Sequence, residues 1–180
     1  MRKSQRIGRH VERPLADHVP TWTHEFSREA EQLRPAFGAF LIELHHVGST
    51  AVAAILARPV IDILAIVSDV HAIDAQRFET LGYEVMGEFG LPGRRYFRKD
   101  DAAGVRTHHV HAYAPESSSE IERLLNFRDY LRAHPATARA YSDLKQALVE
   151  QCRDDMRCYS DGKTAFIREV EQRAAIWKRE

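Results

Sequence analysis

Apolar residues in the first third of the chain follow two different periods. The segment TWTHEFSREAEQLRPAF has apolar residues at helical spacing and predicts a first helix, with Thr21 or Thr23 as its N-terminal cap. LIELHHV and PVIDILAIV are typical of strands, and the second is apolar on both alternating faces, which predicts a central strand. Between these strands GST predicts a turn and AVAAILA predicts a short helix.

The rest of the chain changes from mixed elements to helices alone. DVHAIDAQRFETLG predicts an amphipathic helix that ends at Gly82, followed by short strands around YEVMGEF, RRYFRK and VRTHHVHAYA. After APESSSE the pattern predicts three helices, EIERLLNFRDYLRAH, PATARAYSDLKQALVEQCRDDM and SDGKTAFIREVEQRAAIWKRE. We therefore predict an α+β fold with a basic arm at 1–19, an α/β core at 20–115 and a helical extension packed on it at 116–180.

Composition limits the classes of partner. The 180 residues include 26 basic and 26 acidic ones, so no net charge attracts nucleic acid or a membrane. No segment is apolar for long enough to span a bilayer, and the basic start lacks the apolar run of a signal peptide. Cys152 and Cys158 lie in one predicted helical region without CxxC spacing, which predicts reduced thiols and a cytoplasmic protein.

Asp62 is an acid inside the most apolar stretch of the chain. A carboxylate buried without a partner costs several kcal/mol, so such a position normally has a cation, hydrogen-bond donors or a metal beside it. Three explanations remain open: an ion pair with the nearby Arg58, a polar core network without a ligand, and a binding site.

A turn and a strand offer the groups that a binding site needs. Gly48, Ser49 and Thr50 present amides and hydroxyls that suit a phosphate, although a simple capped turn has the same sequence. In RTHHVHAY, His109 and His111 share one strand face, where both imidazoles can meet a metal or a phosphate; the polar face of an edge strand is the alternative.

Basic side chains accompany these groups in both parts of the chain. They are dense in GRRYFRKD and recur in the helices at spacings of four, where each pair shares one face. A charged edge strand and side chains at the rim of a core are the simpler explanations. The basic candidates for binding an anion are Arg58, Arg95, Arg98, Arg128 and Lys163. Tyr159, four residues before Lys163, would share its helix face.

The sequence resembles the GrpB family, within the nucleotidyltransferase-like superfamily related to DNA polymerase beta. The resemblance rests on HVGSTAV, ARPVIDI, RRYFRK, HHVH, FRDYLRAHP, YSDLK and YSDGKTAFI, which span the chain from about His46 to Ile167. It implies a small mixed sheet flanked by helices, with Gly48 and Ser49 at nucleotide phosphates and Asp62 as a metal ligand. Active members of the superfamily hold Mg²⁺ with two or three carboxylates.

This sequence departs from the superfamily pattern at the metal ligands. Leu64 replaces the second acid of the usual Asp-x-Asp pair, and His109-Val110-His111 stands where a third acid is common. We therefore expect Asp62, His109 and His111 to be catalytic and to hold a divalent metal, which is Mg, Mn or Zn.

The expected ligand is a nucleotide or another phosphorylated small molecule, rather than nucleic acid or a membrane. Two functions follow: transfer of a nucleotidyl group to an unknown acceptor, or binding by a catalytically degenerate module. The expected phosphate-binding residues are Gly48, Ser49, Thr50, Arg58, Arg95, Arg98, Arg128, Tyr159 and Lys163.

Overall fold

The structure is a computed structural model that describes residues 14–53, 55–153 and 155–179. The helices are α1 Thr21–Phe37, α2 Ala75–Thr80, α3 Ser118–Ala133, α4 Pro135–Cys152, α5 Met156–Gly162 and α6 Thr164–Trp177. The strands are β1 Leu41–Val47, β2 Ile61–Val67, β3 Tyr83–Val85, β4 Arg95–Asp100 and β5 Arg106–Tyr113. Single 3₁₀ turns occupy Gly38–Phe40, Ser49–Ala51 and Pro115–Ser117.

The five strands form one mixed sheet in the order β1-β2-β5-β4-β3. The pair β2 and β5 is parallel, and the other three pairs are antiparallel. The strand β2 has a neighbour on each side, as its apolar sequence predicts. The predicted α+β class, a mixed sheet flanked by helices, is confirmed.

The two faces of β2 pack against different helices. Ile61, Ile63, Ala65 and Val67 belong to the core that α1 and α2 close, and Phe78 is buried there. The opposite face carries Asp62 and Leu64, and Leu64 packs against α3. This alternation, which follows from the period of two in a strand, directs Asp62 toward the C-terminal helices.

The C-terminal helices have a core of their own beside the sheet. It joins α3, α4 and α6 to Val52 and Ile55 of the loop after β1, with Tyr141 and Ala174 buried between them. The helical part therefore encloses the segment that links β1 to β2.

Several predicted element boundaries are corrected. The first helix begins after Pro20, and neither Thr21 nor Thr23 caps it. The helix predicted to end at Gly82 is only Ala75–Thr80, because the Asp74 carboxylate accepts from the amide of Gln76 and starts it late. The three predicted C-terminal helices are four, since Arg153 with φ of 49° ends α4 and Asp155 caps α5.

The cysteines do not remain reduced thiols in the structure, contrary to the expectation. The chain reverses between α4 and α5, and Cys152 and Cys158 form a disulfide with their Cα atoms 5.6 Å apart. The bond ties the end of α4 to the start of α5.

The segment after the Gly-Ser-Thr turn is a loop, whereas a short helix was predicted. Only short backbone bonds form within it, such as the Ile55 amide to the Val52 carbonyl. Other backbone groups bond to the C-terminal helices: the Ala51 carbonyl accepts from Arg132 at 2.7 Å, and the Leu56 amide donates to Ser142 Oγ at 2.9 Å. Backbone bonds also pair Ala57 with Ala16. A helix N-terminus is therefore not available to this turn.

The predicted basic arm falls mainly outside the described residues, which begin at residue 14. Within its described part, Ala16 forms an isolated antiparallel bridge with Ala57. Among the residues that the structure describes, no helix combines the length and apolar character needed to cross a membrane.

Candidate functional site

A cavity of about 460 Å³ lies between the Asp62 face of the sheet and the C-terminal helices. The residues from the sheet and its connections are Leu15, Gly48, Ser49, Arg58, Val60, Asp62, Tyr96, Arg98, Arg106 and His109. The residues from the helical part are Arg123, Leu124, Phe127, Tyr141, Lys145, Tyr159, Lys163, Ile167 and Glu171. Such a volume is within the range of small-molecule sites, roughly 300–1,000 Å³.

Asp62 and two histidines form the acidic centre of this region. Register places Asp62 opposite His109 and Leu64 opposite His111, so the three polar side chains share a face. Asp62 Oδ1 is 2.9 Å from His109 Nδ1 and 3.7 Å from His111 Nε2. The Asp62 side chain is 28% exposed, so it lies in the wall of a cavity and not in the buried core that its apolar neighbours in the sequence suggest.

The neighbouring imidazoles keep Asp62 ionised. Burial alone would raise the pKa of its carboxyl, but the hydrogen bonds and charge of His109, and those of His111, lower the pKa below its usual range. The side chain is therefore a carboxylate at neutral pH, the form that binds a cation.

Gly48 allows the turn to approach this carboxylate closely. Its φ of 71° lies in the left-handed region, and a Cβ atom built there would collide with Asp62 Oδ2. Since β1 ends opposite Asp62, the turn that carries Ser49 passes directly over the end of β2. Any other residue would displace either the turn or the acid.

Lys145 reaches the same turn from α4. Its side chain is almost fully buried, and Nζ donates to Ser49 Oγ at 3.2 Å and to the Leu56 carbonyl. Burial, and then the charges of Lys163 and Arg58, lower its pKa to about 7. At neutral pH this ammonium is close to losing its proton, and an added anion would stabilise the charged form.

A second cationic group stands beside Lys145. Lys163 Nζ lies 4.2 Å from the ring centroid of Tyr159, and Arg58 stacks on the same ring at 4.9 Å. Burial and Arg58 lower the pKa of Lys163 to about 8, whereas Asp62 opposes this. Three positive side chains thus meet near Ser49, and we call Arg58, Lys145 and Lys163 the cation cluster.

The far wall is also basic. Arg98 is opposite His109 across the β4–β5 ladder, and Arg106 lies at the start of β5. Burial, and then the charge of Asp62, raise the pKa of the intervening Tyr96 to about 12, so its hydroxyl keeps its proton. From the helical side, Arg123 Nη1 donates to Glu171 Oε1 at 2.7 Å.

The predicted site residues separate into two groups. Those that line the cavity are Gly48, Ser49, Arg58, Asp62, Arg98, His109, Tyr159 and Lys163. His111 is not in the cavity lining, but its Nε2 lies 3.7 Å from Asp62 Oδ1.

Thr50, Arg95 and Arg128 lie elsewhere. Thr50 is buried and donates to the Val60 carbonyl, Arg95 contacts the His71 ring at 3.0 Å, and Arg128 donates to the His46 carbonyl at 3.0 Å. These three side chains bond to other parts of the fold and do not line the cavity.

Three cavity cations were omitted from the residue predictions, which are Lys145, Arg106 and Arg123. On α4 the buried positions Ala138, Tyr141, Lys145, Leu148 and Cys152 recur at helical spacing, so the sequence places a lysine on an apolar stripe. That signal is readable in advance. Arg106 gives no comparable signal, because a basic residue at a strand start is ordinary.

The donor set decides which metal fits. One ligand atom each from Asp62, His109 and His111 lie within 4.8 Å of one another. This set does not suit Mg²⁺, which prefers oxygen ligands, since it has a single carboxylate and two nitrogen donors. It fits one transition-metal ion, for which two imidazoles and a carboxylate are a known arrangement.

Comparison with known proteins gives consistent relatives. The family model described as GrpB protein matches residues 13–173. The UPF0157 protein YqkA of Bacillus subtilis is 41% identical over 160 residues, which are 88% of this chain and 46% of that protein. A UPF0157 protein of Pseudomonas aeruginosa is 37% identical, with 86% of this chain and 64% of the relative covered. This chain thus spans about half to two thirds of these two relatives.

Solved structures agree with the fold. The crystal structure of conserved protein GrpB from Enterococcus faecalis superposes with a TM-score of 0.88 at 40% identity, covering 93% of this chain and all of that one. The Cid1 poly(U) polymerase in its MgGTP-bound form superposes with a TM-score of 0.50 at 11% identity, covering 74% of this chain and 44% of that chain. The second likeness concerns the fold alone, which is nucleotidyltransferase-like. The family match and the identity to its relatives establish that the chain belongs to the GrpB family.

Proposed function

We propose that the cavity binds a nucleoside triphosphate, or another phosphorylated small molecule, together with one divalent transition-metal ion. The observation that carries this proposal is the shared wall: Asp62 and His109 line the same cavity as Ser49, Lys145 and Lys163. A polyphosphate needs cations along its length and a metal at one point, and these residues offer both.

The residues divide the work of binding. Asp62, His109 and His111 hold the metal ion, which when bound neutralises phosphate charge as a Lewis acid. Gly48 and Ser49 let the phosphates approach the backbone, and the cation cluster supplies charge-assisted hydrogen bonds. Tyr159 completes the cavity wall around the ligand.

Nucleotidyl transfer is the second candidate function, and the ionised state of Asp62 beside the phosphate turn favours it. The acceptor hydroxyl would give its proton to solvent while its oxygen bonds to the α-phosphorus, and the bond from that phosphorus to the leaving pyrophosphate breaks. Cid1, whose fold this chain shares, is a poly(U) polymerase with bound MgGTP. A module that binds without turnover gives the same affinity but releases no pyrophosphate.

Isothermal titration calorimetry tests the binding proposal. Mn²⁺, Zn²⁺ and Mg²⁺ are titrated alone and then with each of the four ribonucleoside triphosphates. We expect Mn²⁺ or Zn²⁺ to bind more tightly than Mg²⁺, and a triphosphate to bind in its presence. Absence of heat with every combination would refute the proposal.

Two variants identify the site. Asp62→Asn should weaken metal binding by at least about tenfold, because it removes the only charged ligand. Glu43→Gln is the matched control, since Glu43 and His45 form an acid–imidazole pair at 2.7 Å outside the cavity. An equal loss of metal affinity in both variants would show that Asp62 is not a metal ligand. Release of labelled pyrophosphate then separates transfer from binding alone.

A further inference from the structure

Arg98 and Arg106 lie on the opposite side of Asp62 from the Gly48–Thr50 turn. Register runs across four strands, from Val47 to Asp62 to His109 to Arg98. Neighbouring strands are about 4.8 Å apart, so the backbone of Arg98 is roughly 10 Å from that of Asp62. The turn with Ser49 follows β1 on the other side.

Each arginine is held in place by an acid on the neighbouring strand. Arg98 Nε donates to Glu84 Oε2 at 2.6 Å, and Arg106 Nε pairs with Asp100 Oδ1 at 2.8 Å. Arg106 Nη1 is enclosed and has no hydrogen-bond acceptor among the described residues. The Arg106 side chain is 12% exposed and lines the cavity.

The two positive groups also repel each other. Burial lowers the pKa of Arg106, the charge of Asp100 opposes this, and the charge of Arg98 lowers it further. Guanidinium groups remain protonated, so the repulsion persists until an anion reduces it. Two fixed, nearby guanidinium groups suit the oxygens of a phosphate or carboxylate.

We infer that Arg98 and Arg106 form a second anion subsite, which holds a small molecule bearing a phosphate or carboxylate group beside the nucleotide. This inference rests on the proposed function, and in a transferase the second ligand is the acceptor. The metal ligands then lie between the two anions, where an acceptor hydroxyl and an α-phosphate meet.

A small ligand fits these walls better than a nucleic acid. The cavity of about 460 Å³ is closed on the helical side by Leu124, Phe127 and Ile167. Glu171 adds a negative charge to that wall, and the whole chain has equal numbers of basic and acidic residues. An extended polyanion would find no continuous basic track here.

The test measures the affinity of three probes that share a three-carbon skeleton and differ in charge. Glycerol 3-phosphate, glycerate and glycerol are titrated into protein loaded with Mn²⁺ and an α,β-methylene triphosphate analogue. We expect either anion to bind at least about tenfold more tightly than glycerol, because charge-assisted hydrogen bonds replace neutral ones. The stronger of the two anions names the group that the subsite takes.

Variants locate the effect. Arg98→Gln should weaken the anionic probe about tenfold while the triphosphate affinity changes less than about twofold. Arg106→Lys keeps the charge that pairs with Asp100 and should weaken the same probe through loss of the planar fork. Arg95→Gln, on the same strand but outside the cavity, should have no effect.

Three outcomes would overturn the inference: no preference for an anion over glycerol, equal loss of probe and triphosphate in Arg98→Gln, or tighter binding of a short single-stranded RNA than of both small anions. Failure of the proposed function is distinguishable, because it appears earlier, as an absence of triphosphate binding. The three probes are then titrated into the unloaded protein, where an anion preference lost in Arg98→Gln still supports the subsite.

Discussion

His108 and His109 are neighbours on β5, yet they belong to two different acid clusters on opposite faces of one sheet. His108 lies 3.8 Å from Glu29 of α1, and His109 lies 2.9 Å from Asp62. We call Glu29, Tyr83, Lys99 and His108 the closed cluster, and Asp62, His109 and His111 the cavity cluster.

The closed cluster is buried and balanced in charge. Glu29 Oε1 accepts from Tyr83 at 2.9 Å and from Lys99 at 2.8 Å, and its side chain is only 5% exposed. Burial alone would raise the pKa of Glu29, but Lys99, His108 and Tyr83 lower it. Burial lowers the pKa of His108 to about 4, so this ring is neutral and one acid faces one lysine.

The cavity cluster also pairs a carboxylate with histidine, but its surroundings have a different balance of charge. Its one carboxylate is more exposed and faces a wall with six cations, which are Arg58, Arg98, Arg106, Arg123, Lys145 and Lys163. The comparison teaches that an acid–histidine pair does not by itself mark a site. Solvent access and an excess of positive charge distinguish the cavity cluster, where we propose a ligand, from the closed cluster, which completes the core.

The largest expected effect is the loss of stability when the closed cluster is broken. Glu29→Gln leaves Lys99 without its buried partner and should reduce the free energy of unfolding by about 3–5 kcal/mol. Asp62→Asn should cost about 1 kcal/mol, because the more exposed cavity cluster admits water. Urea denaturation measures both. A reversed order would make the cavity cluster the structural one and remove the basis of the comparison.

A backbone test of the cavity cluster is expected to have the next largest effect. Gly48→Ala must strain a positive φ and displace the Asp62 carboxylate, and should cost about 2–4 kcal/mol together with metal binding. Gly87→Ala is its control, since Gly87 has a φ of 63° and nothing near its Cβ position. We expect about 1 kcal/mol for the control. Equal costs in urea denaturation would mean that the Asp62 contact does not constrain the turn.

Sequence alone predicts the strands of this sheet and the face that Asp62 occupies. The alternation in β2 and the pair His109 and His111 in β5 each select one face, and a parallel register brings the two faces together. The period of a strand is a local property, so it needs no knowledge of the partner strand. The resemblance to a family adds the order of the elements.

What the sequence does not reveal depends on contacts between distant segments. The loop after Ser49 loses its predicted helix because its carbonyls bond to Arg132 and Lys145, more than eighty residues later. The disulfide likewise requires a chain reversal at Arg153 that helical spacing does not announce. The closed cluster cannot be predicted from the sequence for the same reason, because Glu29 and Lys99 are 70 residues apart and contact each other only in the folded chain.

Acid should act on the closed cluster through His108. The unfolded ring binds a proton near pH 6.5, whereas in the folded protein burial lowers its pKa to about 4. Between these values the unfolded state holds more protons, so stability falls as the pH decreases. From about pH 6.5 to about pH 5 the loss should be about 1–2 kcal/mol.

His108→Gln should flatten that slope, and His109→Gln on the opposite face should preserve it. His46, whose pKa is also lowered to about 4 mainly by burial, contributes the same sign in every variant. Denaturation midpoints at several pH values give the slope. An unchanged slope in His108→Gln would show that this ring titrates normally, against a closed environment.

Alkali should act on the cavity side, through ligand affinity. Lys145 and Lys163 have pKa values lowered to about 7 and about 8, so they lose their charge as the pH rises through this range. A bound triphosphate stabilises the charged forms, and its affinity should therefore fall by about tenfold between about pH 7.5 and about pH 9. Over this range the triphosphate itself is almost fully ionised, so the change reports the protein.

Lys163→Arg sharpens the assignment because arginine keeps its charge throughout this range. The variant should retain the affinity at neutral pH and lose affinity less steeply above about pH 8. Calorimetric titration of the triphosphate analogue at several pH values measures this, and buffers of different ionisation enthalpy reveal the proton taken up on binding. Uptake near pH 8 is expected in the parent and should be smaller in the variant. A pH-independent affinity without proton uptake would mean that the phosphates do not contact the cation cluster. The excess of positive charge on the cavity face of the sheet would then have to serve a different anion.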